Sequence, residues 1–185
     1  NSIDEINNYF TANLTNKYNR VRIIGDIHGC YTALQQAITP WDEKTLYIFC
    51  GDYLERGIEN KEMMYEMMRL STLPNTIMLE GNHERHIANF AFHTNLDRSK
   101  RFMKDVVAPI VKDMTKKEVE SLQRELRLFY KSLRQCYPFS FHGKKYLVSH
   151  GGLSYVPNMT FIATSTFING FGAYETNIAN IYDTN

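Results

Sequence analysis

Four short blocks carry most of the residues able to do chemistry: Gly25-Asp26-Ile27-His28-Gly29, Gly51-Asp52-Tyr53-Leu54-Glu55-Arg56-Gly57, Gly81-Asn82-His83-Glu84 and Ser149-His150-Gly151-Gly152. Each places Asp, Asn or His beside glycine, which lets the backbone turn tightly. Oxygen and imidazole donors without thiolate suit hard or borderline divalent ions, so Mn²⁺, Fe²⁺, Zn²⁺ or Mg²⁺ is the expected class of cofactor. Five donors, Asp26, His28, Asp52, Asn82 and His150, exceed what one open catalytic ion needs, and Asp52 can bridge through its two oxygens. The expectation is two ions ~3.5–4 Å apart, an arrangement suited to in-line displacement at phosphorus. One Gly-Asp or Gly-Asn pair alone is ordinarily a turn. The joint occurrence, in order, carries the reading.

These blocks need elements to hold them. VRIIGDI (21–27), TLYIFCGD (45–52) and TIMLEGN (76–82) are apolar runs closed by glycine, the pattern of strands buried on both faces. Between them, 30–38 carries helical spacing at Leu34, Ala37 and Ile38, and 60–70 does so at Met63, Met64, Met67 and Met68. Met fills irregular gaps, so that cluster is expected to face a core. The order β-α-β-α-β indicates an α/β fold with parallel strands and right-handed crossovers. In such sheets ligands bind at the carboxyl ends of the strands, where the blocks fall. Residues 84–135 read as helix only. The last of these helices opens with Thr115-x-x-Glu118, a capping box, and carries an apolar stripe of Val119, Leu122, Leu126, Phe129 and Leu133. A hairpin is expected over 137–150 with its turn at Gly143-Lys144-Lys145, an amphipathic helix over 3–19 and a short strand at 161–164.

GDIHG, GDYLERG, GNHE and SHGG closely resemble the signature blocks of the phosphoprotein phosphatase branch of the calcineurin-like metallophosphoesterases. That branch includes Ser/Thr protein phosphatases, diadenosine tetraphosphate hydrolases and RNA-repair phosphatase modules. The resemblance spans about residues 21–153 and implies a metallophosphoesterase-type α/β/β/α sandwich, with 85–135 as a helical insertion. It implies that Asp26 and His28 hold a first metal, Asp52 bridges, and Asn82 and His150 hold the second. It further implies that His83 is the general acid and Arg56 the phosphate-binding arginine, with two divalent ions, Mn²⁺ foremost, as cofactors. The implied activity is hydrolysis of phosphate monoesters of the phosphoprotein type. Nucleic-acid ends, cyclic nucleotides and dinucleoside tetraphosphates stand as alternative substrates, and a weakened binding module on the same scaffold as an alternative role. Two departures are present. Glu55 stands where the family has the aspartate that orients the catalytic histidine. The family also supplies a further metal-binding histidine downstream, yet no histidine follows His150. The expectation is one catalytic domain over 1–185 lacking its last strand and Gly-His block, with a weaker second metal site.

The chain's 185 residues and 43% hydrophobic content suit one folded domain, and 21 basic against 20 acidic side chains create no global field. Three cysteines are too few for a disulfide scaffold, and no run of ~18 apolar residues occurs. The expectation is a cytoplasmic protein with a phosphorylated substrate and no membrane partner. Cys30 and Cys50 read as small core residues, and His86, His93 and His142 as packing or surface histidines. Residues 98–135 hold eleven Lys or Arg against five acids, which reads either as solvated helix faces or as a basic cap for anionic substrates.

Overall fold

The computed structural model describes residues 12–152 and 164–170. At its centre is a parallel sheet in the order β1 (Arg20–Ile24), β2 (Thr45–Phe49), β3 (Thr76–Met78). Every residue of β2 is buried, and its alternating side chains serve two layers. Tyr47 and Phe49 join a large core with the helices, whereas Leu46 and Ile48 join Leu14, Tyr18, Leu79, Tyr137 and Phe139. Ile24 pairs with Phe49 and Phe49 with Met78, so the three strands end in register. Asp26, Asp52 and Asn82 therefore leave the sheet at one edge.

The helical layer comprises α1 (Tyr31–Ile38), α2 (Asn60–Ser71), α3 (Glu84–Phe92) and, later, α6 (Lys116–Ser132). Met63, Met64 and Met67 are buried in it, and Met68 partly so. Between α3 and α6 lie a 3₁₀ turn (Leu96–Ser99), α4 (Lys100–Phe102), a π turn (Met103–Val107) and α5 (Ala108–Val111). The π turn stands just ahead of Pro109, which has no N–H to donate to a carbonyl one turn back. The expected capping box forms: the Thr115 hydroxyl accepts from the Glu118 N–H (3.3 Å), and the Glu118 carboxylate accepts from the Thr115 N–H (2.7 Å). Leu122, Leu126 and Phe129 are the buried residues of α6.

On the opposite face, β4 (Cys136–Phe141) and β5 (Lys144–Ser149) form the antiparallel hairpin. Its turn is His142-Gly143, one residue earlier than expected, with φ of 48° and 76°. Two left-handed residues match the twist of a hairpin, and His is among the side chains that tolerate this region. α7 (Thr164–Asn169) docks through buried Phe167, whose carbonyl accepts the Gly151 N–H at 2.7 Å.

Three further expectations are corrected, and a fourth falls mostly outside the described residues. Residues 3–11 of the proposed 3–19 helix lie outside the described residues, but 12–19 are not helical, because Asn13 bridges to Ser140 and Leu14 and Tyr18 plug the second core. β1 is not buried on both faces: Ile23 is 51% exposed. Of 161–164 only Thr164 is described, and it opens α7 rather than ending a strand. Cys30 is exposed, since it sits at the turn into α1, while Cys50 is half-buried. Among the described residues no helix is long and apolar enough to cross a membrane.

Candidate metal centre and active site

The structure brings Asp26, His28, Asp52, Asn82, His83 and His150 to one crevice at the carboxyl edge of the sheet, with Glu55 and Arg56 beside them. Asp52 is the hub. Its side chain is buried, and one carboxylate oxygen lies 3.5 Å from His28 Nε2 and 3.8 Å from His83 Nε2. The other lies 3.6 Å from His150 Nε2 and accepts the His83 N–H at 3.0 Å. Asp26, half exposed, is 3.9 Å from His28 Nε2 and 3.7 Å from His150 Nδ1.

The tautomers follow from the backbone. His28 Nδ1 lies 3.1 Å from the Leu54 carbonyl and His150 Nδ1 2.9 Å from the Cys50 carbonyl. A carbonyl only accepts, so Nδ1 carries the proton in both rings and Nε2 presents a lone pair. In His28 that lone pair points at two carboxylates, and Nε2 is a buried nitrogen with no hydrogen-bond partner among the described residues. In His150 it faces Asn82 Oδ1 at 3.1 Å and Asp52. Lone pairs converging on lone pairs repel unless a cation lies between them. Three trios among the described residues have ligand atoms all within 4.8 Å of one another: His28, Asp52 and His83; Asp26, Asp52 and His150; and, one ring further out, Glu55, His83 and His86. The donor chemistry thus fits divalent metal.

His83 is held separately. Its Nδ1 bonds the Glu55 carboxylate, and Arg56 donates to its Nε2 at 3.3 Å. Despite its extra methylene Glu55 reaches His83, and Glu55 and Arg56 both adopt left-handed φ (75° and 65°). His28 (47°) and Asp52 (54°) do the same. Non-glycine residues in this region store strain, which persists only where the surroundings over-determine it.

At Asp52 those surroundings are Glu84, whose role the sequence reading missed; the Glu55 N–H is held instead by Asn60 Oδ1 at 2.8 Å. The Glu84 carboxylate is fully buried and accepts three backbone N–H groups: Asp52 (2.8 Å), Tyr53 (3.1 Å) and Gly81 (2.6 Å). It therefore ties the loop after β2 to the loop after β3. Loss of water pushes its carboxyl up to about 7, with the Asp52 charge adding to the shift and the three donors opposing it. The approach demands glycine on both sides. A Cβ on Gly51 (φ 104°) would lie 2.4 Å from the Gly81 nitrogen, and one on Gly81 2.3 Å from the Asp52 carboxylate. The available signal was the acid closing the Gly-Asn-His-Glu block, directly ahead of a helix.

His86 packs as expected, and it does so beside the site. Its ring centroid lies 6.1 Å from that of His83, it stacks on Phe102, and its Nδ1 is 2.8 Å from the Ser99 hydroxyl. Desolvation pulls it below the ordinary histidine range. His93 and His142 lie at exposed turns, as expected.

This arrangement of fold and crevice defines a class, and comparison with known proteins agrees: the chain belongs to the calcineurin-like phosphoesterases, whose family model matches residues 19–180. It is 38% identical over 80 residues to serine/threonine-protein phosphatase 2 of Salmonella typhimurium, covering 42% of this chain and 34% of that protein. It is 32% identical over 136 residues to the symmetrical bis(5'-nucleosyl)-tetraphosphatase of Baumannia cicadellinicola, covering 71% and 41%. Among solved structures, one assigned as a diadenosine tetraphosphatase superposes with a TM-score of 0.50 at 20% identity, over 81% of this chain and 58% of that one. The matched stretches span about a third to two fifths of the curated relatives' length.

Proposed function

We propose that this chain is a dinuclear-metal-dependent phosphoesterase whose first substrates are phosphate monoesters. The observation that carries the reading is the pair of imidazoles, His28 and His150, whose Nδ1 atoms face backbone carbonyls while their Nε2 atoms face the Asp52 carboxylate. Asp26 and His28 would hold one ion, Asn82 and His150 the other, and Asp52 both. Mn²⁺ fits this oxygen-and-imidazole set well. Such ions, when bound, acidify water and offset charge developing on phosphoryl oxygens.

The remaining work belongs to the chain. Arg56, exposed at the crevice and next to His83, offers a planar fork that matches two phosphoryl oxygens. His83, oriented by Glu55 through Nδ1, turns Nε2 to the leaving oxygen: its contact with Arg56, in which Nε2 accepts, gives way when Arg56 engages the phosphoryl group, and the protonated ring then donates there. Glu84 keeps Asp52 in its left-handed conformation while the charge distribution changes. No covalent intermediate is required.

A phosphoprotein substrate is supported by the phosphatase relative, and a dinucleoside tetraphosphate by the tetraphosphatase relative. The free thiols of Cys30, Cys50 and Cys136 suit a cytoplasmic setting. The test is hydrolysis of p-nitrophenyl phosphate with and without Mn²⁺, alongside calorimetric metal stoichiometry. Turnover that requires the ion, with two ions bound, supports the reading. Metal-independent turnover, or none with any dication, overturns it.

A further inference from the structure

We infer that Arg85, seated on His86, recognises a second phosphoryl group on the leaving side of the bond that breaks. This rests on the phosphoesterase reading above and adds the identity of the leaving group.

The leaving oxygen must come within hydrogen-bond reach of His83 to be protonated there. The next ring outward is His86, edge-on to His83, and the ligand atoms of Glu55, His83 and His86 all lie within 4.8 Å of one another. His86 is immobilised from behind. The Ser99 hydroxyl holds its Nδ1 and also accepts from Asn89 Nδ2 at 2.9 Å, Ser99 being only 1% exposed, and Phe102 stacks on the ring. Arg85 donates its Nε–H to His86 Nε2 at 3.4 Å, so that nitrogen is the acceptor, and burial disfavours the charged ring. That contact uses only one of five guanidinium protons and leaves both terminal amino groups for a ligand.

The charge argues in the same direction. Among the described residues, the ion pairs of Arg and Lys run through Arg69, Lys100, Arg101 and Lys112. Arg56 and Arg85 flank the His83–His86 pair without a carboxylate of their own. One guanidinium beside His83 and another beside His86 place two phosphate-matching forks one ring apart. Arg56 serves the phosphoryl group that is transferred, and Arg85 meets the atoms that leave.

Proximity selects the substrate class. In a phosphoanhydride the next phosphorus is one bridging oxygen from the scissile one, whereas the nearest carboxylate of an acidic phosphopeptide is many bonds away. The reaction adds water across the terminal P–O–P bridge. Water's oxygen joins the terminal phosphorus, the bridging oxygen departs with the penultimate phosphoryl group and takes a proton from the protonated His83, and the proton that water loses goes to solvent, from which His83 is reprotonated.

The experiment compares kcat/KM of the full chain with Mn²⁺ on adenosine diphosphate and adenosine monophosphate, which differ only by the second phosphate. Tripolyphosphate serves as a probe without nucleoside, and an aspartate-flanked phosphoserine peptide as the rival. Arg85→Ala should lower the diphosphate-to-monophosphate ratio about tenfold, the scale of one charge-assisted contact at a partly exposed site. It should lower tripolyphosphate turnover in step. His86→Ala should move the ratio less and in the same direction, and His86→Gln, which keeps an acceptor, should restore it. An unchanged ratio, or a selective loss on the acidic peptide alone, overturns the inference. A binding measurement free of turnover is the Kd of tripolyphosphate for the His83→Ala chain, which Arg85→Ala should raise about tenfold. If the parent hydrolyses nothing, the phosphoesterase reading fails, and this Kd alone decides the role of Arg85.

Discussion

The crevice and helix α6 were made by opposite rules. Along α6 the main local signals agree: a reciprocal capping box and one buried apolar stripe, with Leu128, 70% exposed, the exception. At the crevice almost every local rule is broken. Four non-glycine residues carry left-handed φ, a carboxylate is fully buried, and a nitrogen is left without a partner. A region that contributes stability follows propensity; a region that positions ligands spends stability to hold an arrangement no propensity favours. Substitutions in the two regions should therefore separate function from folding.

The sharpest separation is Asp52→Asn. It keeps the shape of a side chain that faces all three site histidines, so the fold should survive. Dication affinity should fall at least about a hundredfold, the upper figure for losing an outer partner alone. Calorimetric titration reads it, and parental affinity would remove Asp52 from the bridging role. Next is His83→Ala, which should keep both ions and lose turnover by about 10²–10⁴-fold. The deficit should shrink on aryl phosphates, whose leaving groups need little protonation; an equal deficit on alkyl phosphates would end the general-acid assignment.

The converse prediction sits in the helical layer. Leu126 is fully buried, and Leu126→Ala should cost roughly 2–5 kcal/mol in urea unfolding while the folded fraction keeps its dication affinity. A parallel loss of metal would mean that the two regions are not separable. The smallest effect belongs to Thr115→Ala, which removes half of the capping box and should cost about 1 kcal/mol, with kcat/KM unchanged.

The elements were legible where one signal dominates. Apolar runs closed by glycine revealed β1 to β3, and helical spacing with a cap revealed α6. The grouping of Asp26, His28, Asp52, Asn82 and His83 was legible because each follows a run whose neighbours are parallel, and His150 was legible as the residue that closes an antiparallel hairpin. Their roles remain proposals. What could not be read depends on partners distant in sequence. Glu84 is bonded to backbone N–H groups 31 and 32 residues away, and no side-chain pattern records a backbone partner. The exposure of Ile23 likewise depends on which layer covers β1. The hairpin turn was misplaced by one residue because His142, not only Gly143, takes the left-handed conformation.

The hydrogen bond from His150 Nδ1 to the Cys50 carbonyl joins residues 100 apart in the chain. Closing so long a loop is entropically unfavourable, and the contact repays nothing until β2 and the hairpin have both formed. The hairpin is a local structure that forms in microseconds, so the ligand set is completed late, when β5 docks. A dication then meets its full set of donors only on chains that have already closed. By mass action it stabilises that state by RT ln(1 + [L]/Kd), and it should act on the unfolding rate rather than on the rate of folding.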